Sequence, residues 1–288
     1  MYLKIDEFNS IDEIPDFYNF TRPHVIRGGC KSMKIFSEKD KLQFFYKHLH
    51  KNEFNTEIYN TFTEMESTDV KNYVSQPFSE TYNNILTGSI PHNYIADMDL
   101  LDCDFTINSK FKNYFTYNMD TKRSNNGILL FFGNNSRSGA HIHTGNDYIL
   151  NQIYGKKTIY IFDFYDNPLQ TFGIFSDRSN FLKDNIFQLD HSKLKIYKVV
   201  LNEGDSLTIP PWWWHAARAH DVSISMTKTY VRTSHLYLLK HPRIMLILFI
   251  EVCEHYLDDL FYLSQYKEFI AIIILIIIYI VSYIYLHI

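Results

Sequence analysis

Between Gly127 and Val231 the sequence breaks into short apolar runs separated by turn residues, with no helix-rich crossover between them. This spacing limits the fold more than any other feature. Ile128-Leu129-Leu130-Phe131-Phe132 is closed by Gly133-Asn134-Asn135, and Thr158–Phe162 follows a turn expected at Gly155. Ile196–Leu201, Ser206–Ile209 and Val222–Val231 continue the series, with His220-Asp221 read as a turn between strands. In the last run Val222, Ile224 and Met226 point one way and Ser223, Ser225 and Thr227 the other. Strands with one apolar and one polar face suit a barrel whose interior is a wet site. A parallel α/β fold needs helical crossovers and is disfavoured.

The N-terminal part is less periodic. Arg22-Pro23-His24-Val25-Ile26-Arg27-Gly28-Gly29 reads as a loop feeding a strand, because Pro23 blocks a helix and the Gly pair ends the extended run. Over residues 38–126, apolar clusters at Leu42–Phe45, Val70–Val74 and Tyr82–Leu86 predict helical turns interleaved with a strand or two. Aromatic residues make up 17% of the chain, enough for a thick packed core. A formal net charge of −4 gives no reason to expect nucleic acid as a partner. Cys30, Cys103 and Cys253 show no metal or disulfide spacing and read as buried small residues.

After His241-Pro242 the apolar residues Leu246, Phe249, Ile250, Cys253, Leu257, Leu260 and Phe261 recur at helical intervals. This amphipathic face packs on its own domain or forms a homodimer contact through residues 242–264. From Phe269 to Leu286 there is no charged residue. Extended to Ile288, the run is about 30 Å long as a helix, roughly the hydrocarbon thickness of a bilayer. The N-terminus has no apolar signal region. The expected topology is a single-pass tail anchor with the large domain on the cytosolic side.

Two segments carry candidate chemistry. One is Ser138-Gly139-Ala140-His141-Ile142-His143, followed by Asn151-Gln152-Ile153-Tyr154-Gly155-Lys156-Lys157. The other is Gly204-Asp205-Ser206-Leu207-Thr208-Ile209-Pro210-Pro211-Trp212-Trp213-Trp214-His215. On a strand, His141 and His143 project to one face. With His215 from a distant strand they can form a facial metal set that leaves positions open for substrate and oxygen. Imidazole ligands suit Fe(II), Zn, Cu and Ni alike, so the ligand type alone does not choose the metal.

Together these segments resemble the JmjC/cupin-like family of Fe(II)- and 2-oxoglutarate-dependent oxygenases. The family pattern runs His-x-Asp, then Gln-x-x-Gly-x-Lys, then Gly-Asp-x-x-x-Ile-Pro-x-x-Trp-x-His, and the match covers roughly residues 128–230. The resemblance implies a double-stranded β-helix (a cupin-type jelly roll), Fe(II) and 2-oxoglutarate as cofactors, and hydroxylation of a C–H bond, with protein as the expected substrate. It places His141 and His215 on the histidine ligands and Lys157 on the lysine that pairs with the distal carboxylate of 2-oxoglutarate. Ser138 falls on a hydroxyl position that can bond the same carboxylate, and Thr227 on a polar position facing that cosubstrate from the last barrel strand.

The chain departs from the pattern at His143, where the family has a carboxylate, and one residue is inserted within Thr144-Gly145-Asn146-Asp147. His143 is then either a third ligand or a pocket-lining residue of an inactive site. Asp147 is a poorly placed substitute for the missing carboxylate. Lys157 holds the cosubstrate or is a solvated neighbour of Lys156, and Trp212–Trp214 pack the barrel. Four regions follow: N-terminal additions (1–127), the barrel core (128–232), an amphipathic helical extension (233–266) and a membrane tail (267–288). The leading function is a membrane-anchored oxygenase. The alternative is a catalytically inactive cupin-like scaffold at the membrane.

Overall fold

The computed structural model describes residues 2–14, 22–67, 72–89, 93–100, 105–116, 125–143, 146–163, 169 and 180–231. The amphipathic run at 242–264 and the apolar run at 269–288 lie outside these residues, as do Cys103 and Cys253. Among the described residues no helix is long and apolar enough to cross a membrane.

Among the described residues, eleven strands and four α-helices follow one another. The strands are β1 (Asp6–Phe8), β2 (His24–Ile26), β3 (Glu53–Ile58), β4 (Asn72–Pro77), β5 (Asn93–Asp99), β6 (Asn125–Asn134), β7 (Arg137–His141), β8 (Asn146–Asp163), β9 (Tyr197–Leu201), β10 (Ser206–Ile209) and β11 (Trp213–Val231). The helices are α1 (Lys41–Leu49), α2 (Phe62–Ser67), α3 (Phe78–Thr87) and α4 (Phe105–Phe115). The fold is mainly β, and its sheet is mixed, with β1 parallel to β2 and the other pairs antiparallel.

Strands β8 and β11 pair along almost their whole length, from Asn146 opposite Val231 to Asp163 opposite Trp213. The early half of β8 and the late half of β11 belong to a large sheet ordered β1-β2-β10-β8-β11-β6-β5-β3-β4. Their other halves carry β9 and β7. This is the arrangement of a jelly roll. The strands are continuous through the two places where turns were expected, Gly155 and His220-Asp221. The chain bends there instead, with a register shift between His220 and Ile224 and positive φ at Gly155 (71°) and Asp221 (55°).

Apolar residues cover both sides of each sheet. Leu150 from the early half of β8 packs with Ile159 and Ile161 from its late half, and with Val25, Val199, Leu207 and Ile209. That cluster fills the space between the sheets. On the outer face of the large sheet, Ile224, Met226, Leu130 and Phe132 pack against Phe44 and Phe45 of α1, Phe78 of α3 and Phe111 of α4. Helix α1 starts where the Asp40 side chain accepts the Gln43 amide at 2.9 Å. On the outer face of the smaller sheet, Tyr160, Phe162, Trp212 and Trp214 meet Leu182, Ile186 and Ile196. Trp213 packs on the inner cluster.

The helical expectation holds at Leu42–Phe45 and Tyr82–Leu86. It fails at Val70–Val74, where the described part belongs to β4, an extended segment paired with β3. Among its described residues the region holds the strands β3, β4 and β5, where one or two were expected.

A Cβ on Gly155 would lie 2.4 Å from the Val222 carbonyl oxygen, and its φ of +71° is strained for an L-residue. The bend therefore requires glycine. Gly155→Ala is expected to cost roughly 2–4 kcal/mol, read as a lower midpoint in urea or thermal unfolding of the full chain.

Candidate metal centre

The Gly204-Asp205 motif serves architecture. The Asp205 carboxylate accepts from the Gly28 amide at 3.0 Å, the Asn202 amide at 3.0 Å and Arg27 Nη1 at 2.7 Å. Arg27 also grips Glu7, at 2.7–2.9 Å. The N-terminal Arg22–Gly28 segment and the β10 motif are thus tied by one carboxylate, and β10 is held between β2 and β8.

Beyond β10 the chain reverses at Pro210-Pro211-Trp212. The Trp212 amide donates to the His143 carbonyl at 2.9 Å, with Trp212 itself at φ 67°. This contact draws the end of β7 against the start of β11, where His215 stands opposite His141. Strand β7 ends at His141, so His143 is not on the strand as expected. The extended path continues because Ile142 donates to the Asn180 carbonyl and Ala140 accepts from Leu182. Ile142 is buried outward, and His141 and His143 keep to the cavity side.

His141, His143 and His215 each bring a ring nitrogen within 4.8 Å of the others, so together they can hold a metal ion. The ring centroids lie 4.3–5.0 Å apart. Small ring shifts would bring the nitrogens to the roughly 2.0–2.1 Å of an imidazole–metal bond. His141 Nδ1 is 2.9 Å from the Gly139 carbonyl and His215 Nδ1 is 3.1 Å from the Trp213 carbonyl. A carbonyl only accepts, so in both rings Nδ1 carries the proton and Nε2 keeps its lone pair for a metal. His143 stacks on Tyr148, with centroids 3.7 Å apart and planes 18° apart. Among the described residues no carboxylate joins the set. Asp147 is buried on β8 opposite Tyr230 and does not substitute for the missing acid.

Burial holds the His143 and His215 pKa values well below the ordinary 6.5, and the neighbouring histidines push the same way. Both rings are neutral at physiological pH, as metal ligands must be.

Behind the histidines lies a cavity of about 50 Å³. Its walls include Leu150, Ile159, Ile209 and Ala217, and it contains Lys157, Ser138 and Thr227. Every candidate site residue is therefore in one place. Ser138 and His141 are three apart and would face opposite ways on a regular strand. A bulge brings both into the cavity, since they pair with Ala217 and His215, which are only two apart. The Lys157 side chain is buried and donates to Ser225 Oγ. Burial alone lowers its pKa, to about 7, with no opposing charge among the described residues. Lys156, by contrast, is exposed.

The resemblance did not single out Ser225, although the polar alternation of Val222–Val231 points to it. Nothing in the sequence marks Tyr148 as the residue stacked on His143. Nor does it mark Tyr94, Phe131, Arg137 and Asn180, which line a second cavity of about 240 Å³ that shares Ser138, His141 and His143 with the first.

The sequence matches the model of the cupin-like domain over residues 13–231. The chain belongs to the cupin-like domain family. No curated protein matches the sequence.

Loaded anaerobically with Fe(II) or Zn(II), the full chain is expected to bind about one ion, measured by elemental analysis after dialysis. His141→Ala and His215→Ala should each weaken binding by more than about a hundredfold. Because the folded-state pKa values of His143 and His215 lie well below 6.5, protons compete poorly at those rings. Protonation of these two rings should therefore take little from the affinity near neutral pH and oppose binding only in acid.

Proposed function

We propose that this chain is an Fe(II)- and 2-oxoglutarate-dependent oxygenase that hydroxylates protein. The observation that carries the reading is Lys157, a buried amine that lines the same largely apolar-walled cavity as the histidine cluster. A dicarboxylate with a short methylene linker fits those chemical demands: one end for a metal, the other for a cation. When bound, the metal and the 2-oxo acid supply oxygen activation. Lys157 would pair with the distal carboxylate, which the Ser138 hydroxyl could also bond, and Thr227 would face the cosubstrate. Leu150, Ile159, Ile209 and Ala217 keep water from the methylenes.

The charge on Lys157 gives this reading a pH signature. With its pKa lowered by burial to about 7, the side chain is mostly neutral at pH 8 and must take up a proton to pair with an arriving carboxylate. Binding of 2-oxoglutarate at pH 8 should therefore consume close to one proton, seen as a buffer-dependent heat in calorimetry, and affinity should decline as pH rises above about 7. Lys157→Ala should abolish the thermal stabilisation given by 2-oxoglutarate, since breaking a buried ion pair costs about 3–5 kcal/mol. Lys156→Ala should barely alter it. Equal effects of the two substitutions would contradict the assignment.

The missing carboxylate favours a second reading, a cupin-like scaffold that has lost its chemistry. His143→Asp separates the two, because it rebuilds a two-histidine, one-carboxylate set. Conversion of 2-oxoglutarate to succinate needs no knowledge of the substrate. Turnover in the parent chain supports the oxygenase. Turnover only in the Asp variant means the cosubstrate pocket is kept and the metal chemistry lost, and turnover in neither supports the scaffold.

We further propose that the apolar segment 269–288 spans a membrane and holds the cupin-like domain at its cytosolic face. Its length and lack of charge support this. Deleting Phe269–Ile288 should release the protein from membranes on carbonate extraction. A full-length chain already found in the soluble fraction would count against the anchor.

A further inference from the structure

We propose that Lys157 is a site of reversible N-carboxylation by carbon dioxide, so that one buried amine serves either as a carbamate or as the cation for a dicarboxylate. The modification goes beyond the oxygenase reading and stands without it. Only its competition with 2-oxoglutarate rests on that reading.

Lys157 leaves β8 just past the Gly155 bend and is 3% exposed, yet it lines the 50 Å³ cavity. Its Nζ donates to the Ser225 hydroxyl and sits 5.5 Å from the centroid of the Phe131 ring. Among the described residues no carboxylate pairs with it. Leu150, Ile159, Ile209 and Ala217 make much of the wall apolar. An ammonium held there without a counter-ion is disfavoured, so the amine keeps its lone pair. An ordinary exposed lysine, with a pKa of about 10.4, is an ammonium at pH 8 and has no lone pair to offer.

Carbon dioxide is small, has no charge to desolvate on entry and is electrophilic at carbon. The Nζ lone pair forms an N–C bond with it, one C=O π pair moves onto oxygen, and the nitrogen releases one proton to the buffer. No oxidant or reductant is needed. The resulting anion requires hydrogen-bond donors in so apolar a place. Ser225 is already at the nitrogen, and Thr227 and Ser138 line the same cavity. A cation at the three neutral histidines would add attraction. Carboxylation turns the residue that receives the distal carboxylate from positive to negative, so carbon dioxide and 2-oxoglutarate exclude one another. Conversion of 2-oxoglutarate to succinate releases carbon dioxide, and the product thereby feeds back on cosubstrate binding.

The test uses the full chain in detergent, loaded with Zn(II), at pH 8 under isotopically labelled carbon dioxide and bicarbonate. Triethyloxonium converts carbamates into stable ethyl esters, and peptide mass spectrometry then locates the label. Lys157 should carry it, and Lys156 and the other exposed lysines should not. The N-terminal amine, with a pKa of about 7.7–8.0, shows that the trapping works. Lys157→Gln should remove the label from that peptide. The assignment in the parent chain needs no variant, so a misfolded Lys157→Gln does not shelter the proposal. Where nine-tenths of the chain is labelled, the apparent Kd for 2-oxoglutarate should rise about tenfold, because only the remaining tenth is competent. An unlabelled Lys157 beside a labelled N-terminus overturns the proposal, as does equal labelling of the exposed lysines. Label at Lys157 that 2-oxoglutarate fails to displace upholds the carboxylation and sinks the cosubstrate assignment. Thermal stabilisation by 2-oxoglutarate with no label at Lys157 overturns the carboxylation and leaves the oxygenase reading intact.

Discussion

The site depends on the pairing of β8 with β11. Each strand contributes to both sheets, and each changes sheet at a bend, near Gly155 in one and near Asp221 in the other. Because β11 runs through that bend, His215 and Thr227 enter the same cavity although twelve residues separate them. Because β8 does the same, Lys157, just past the bend, reaches Ser225 on the far half of its partner. A turn at either place would have separated the metal position from the cation. The remaining strands of the domain extend from this pair: β10 and β9 flank β8, and β6 and β7 flank β11.

Much of this was legible in the sequence where a residue's role shows in its spacing. The alternation of Val222–Val231 marked the polar interior, and the His-x-His and Trp-rich histidine segments marked the three histidines that come together. Positions 155 and 220–221 were misread because a glycine or an Asp next to polar neighbours signals a turn and a strand bend equally well. Only long-range pairing tells them apart. Val70–Val74 was misread for a related reason: a short apolar cluster has no period of its own, and β3 decides its conformation by supplying hydrogen bonds. The partners of functional groups were the least legible. The Tyr148 stack on His143 and the Glu66 clamp on Arg137 join residues that no local pattern connects.

The residues around the cavity divide between holding the fold and presenting chemistry. Asp205, Gln152 and Asn151 belong to the recognisable motifs, yet their hydrogen bonds go to other structural groups: Asp205 to Arg27 and two amides, Gln152 to Ser223, Asn151 to Ser206. His141 and His215 are each oriented by a backbone carbonyl. A carbonyl fixes the tautomer without adding a full negative charge behind the ring. Lys157, buried beside serine and away from any described carboxylate, fits the same low-charge interior.

The pairing of β2 with β10 has a consequence for biosynthesis. His24 stands opposite Thr208, and the carboxylate that secures Gly28 comes from Asp205. At about 5–20 residues per second, a ribosome takes on the order of ten to forty seconds to deliver the second partner after the first. During that interval β2 has β1 beside it but not β10, and the apolar Val25 and Ile26 must be shielded by other means. The polar residues beside them, Arg22, His24 and Arg27, suit that wait, keeping the nascent segment hydrated until β10 arrives.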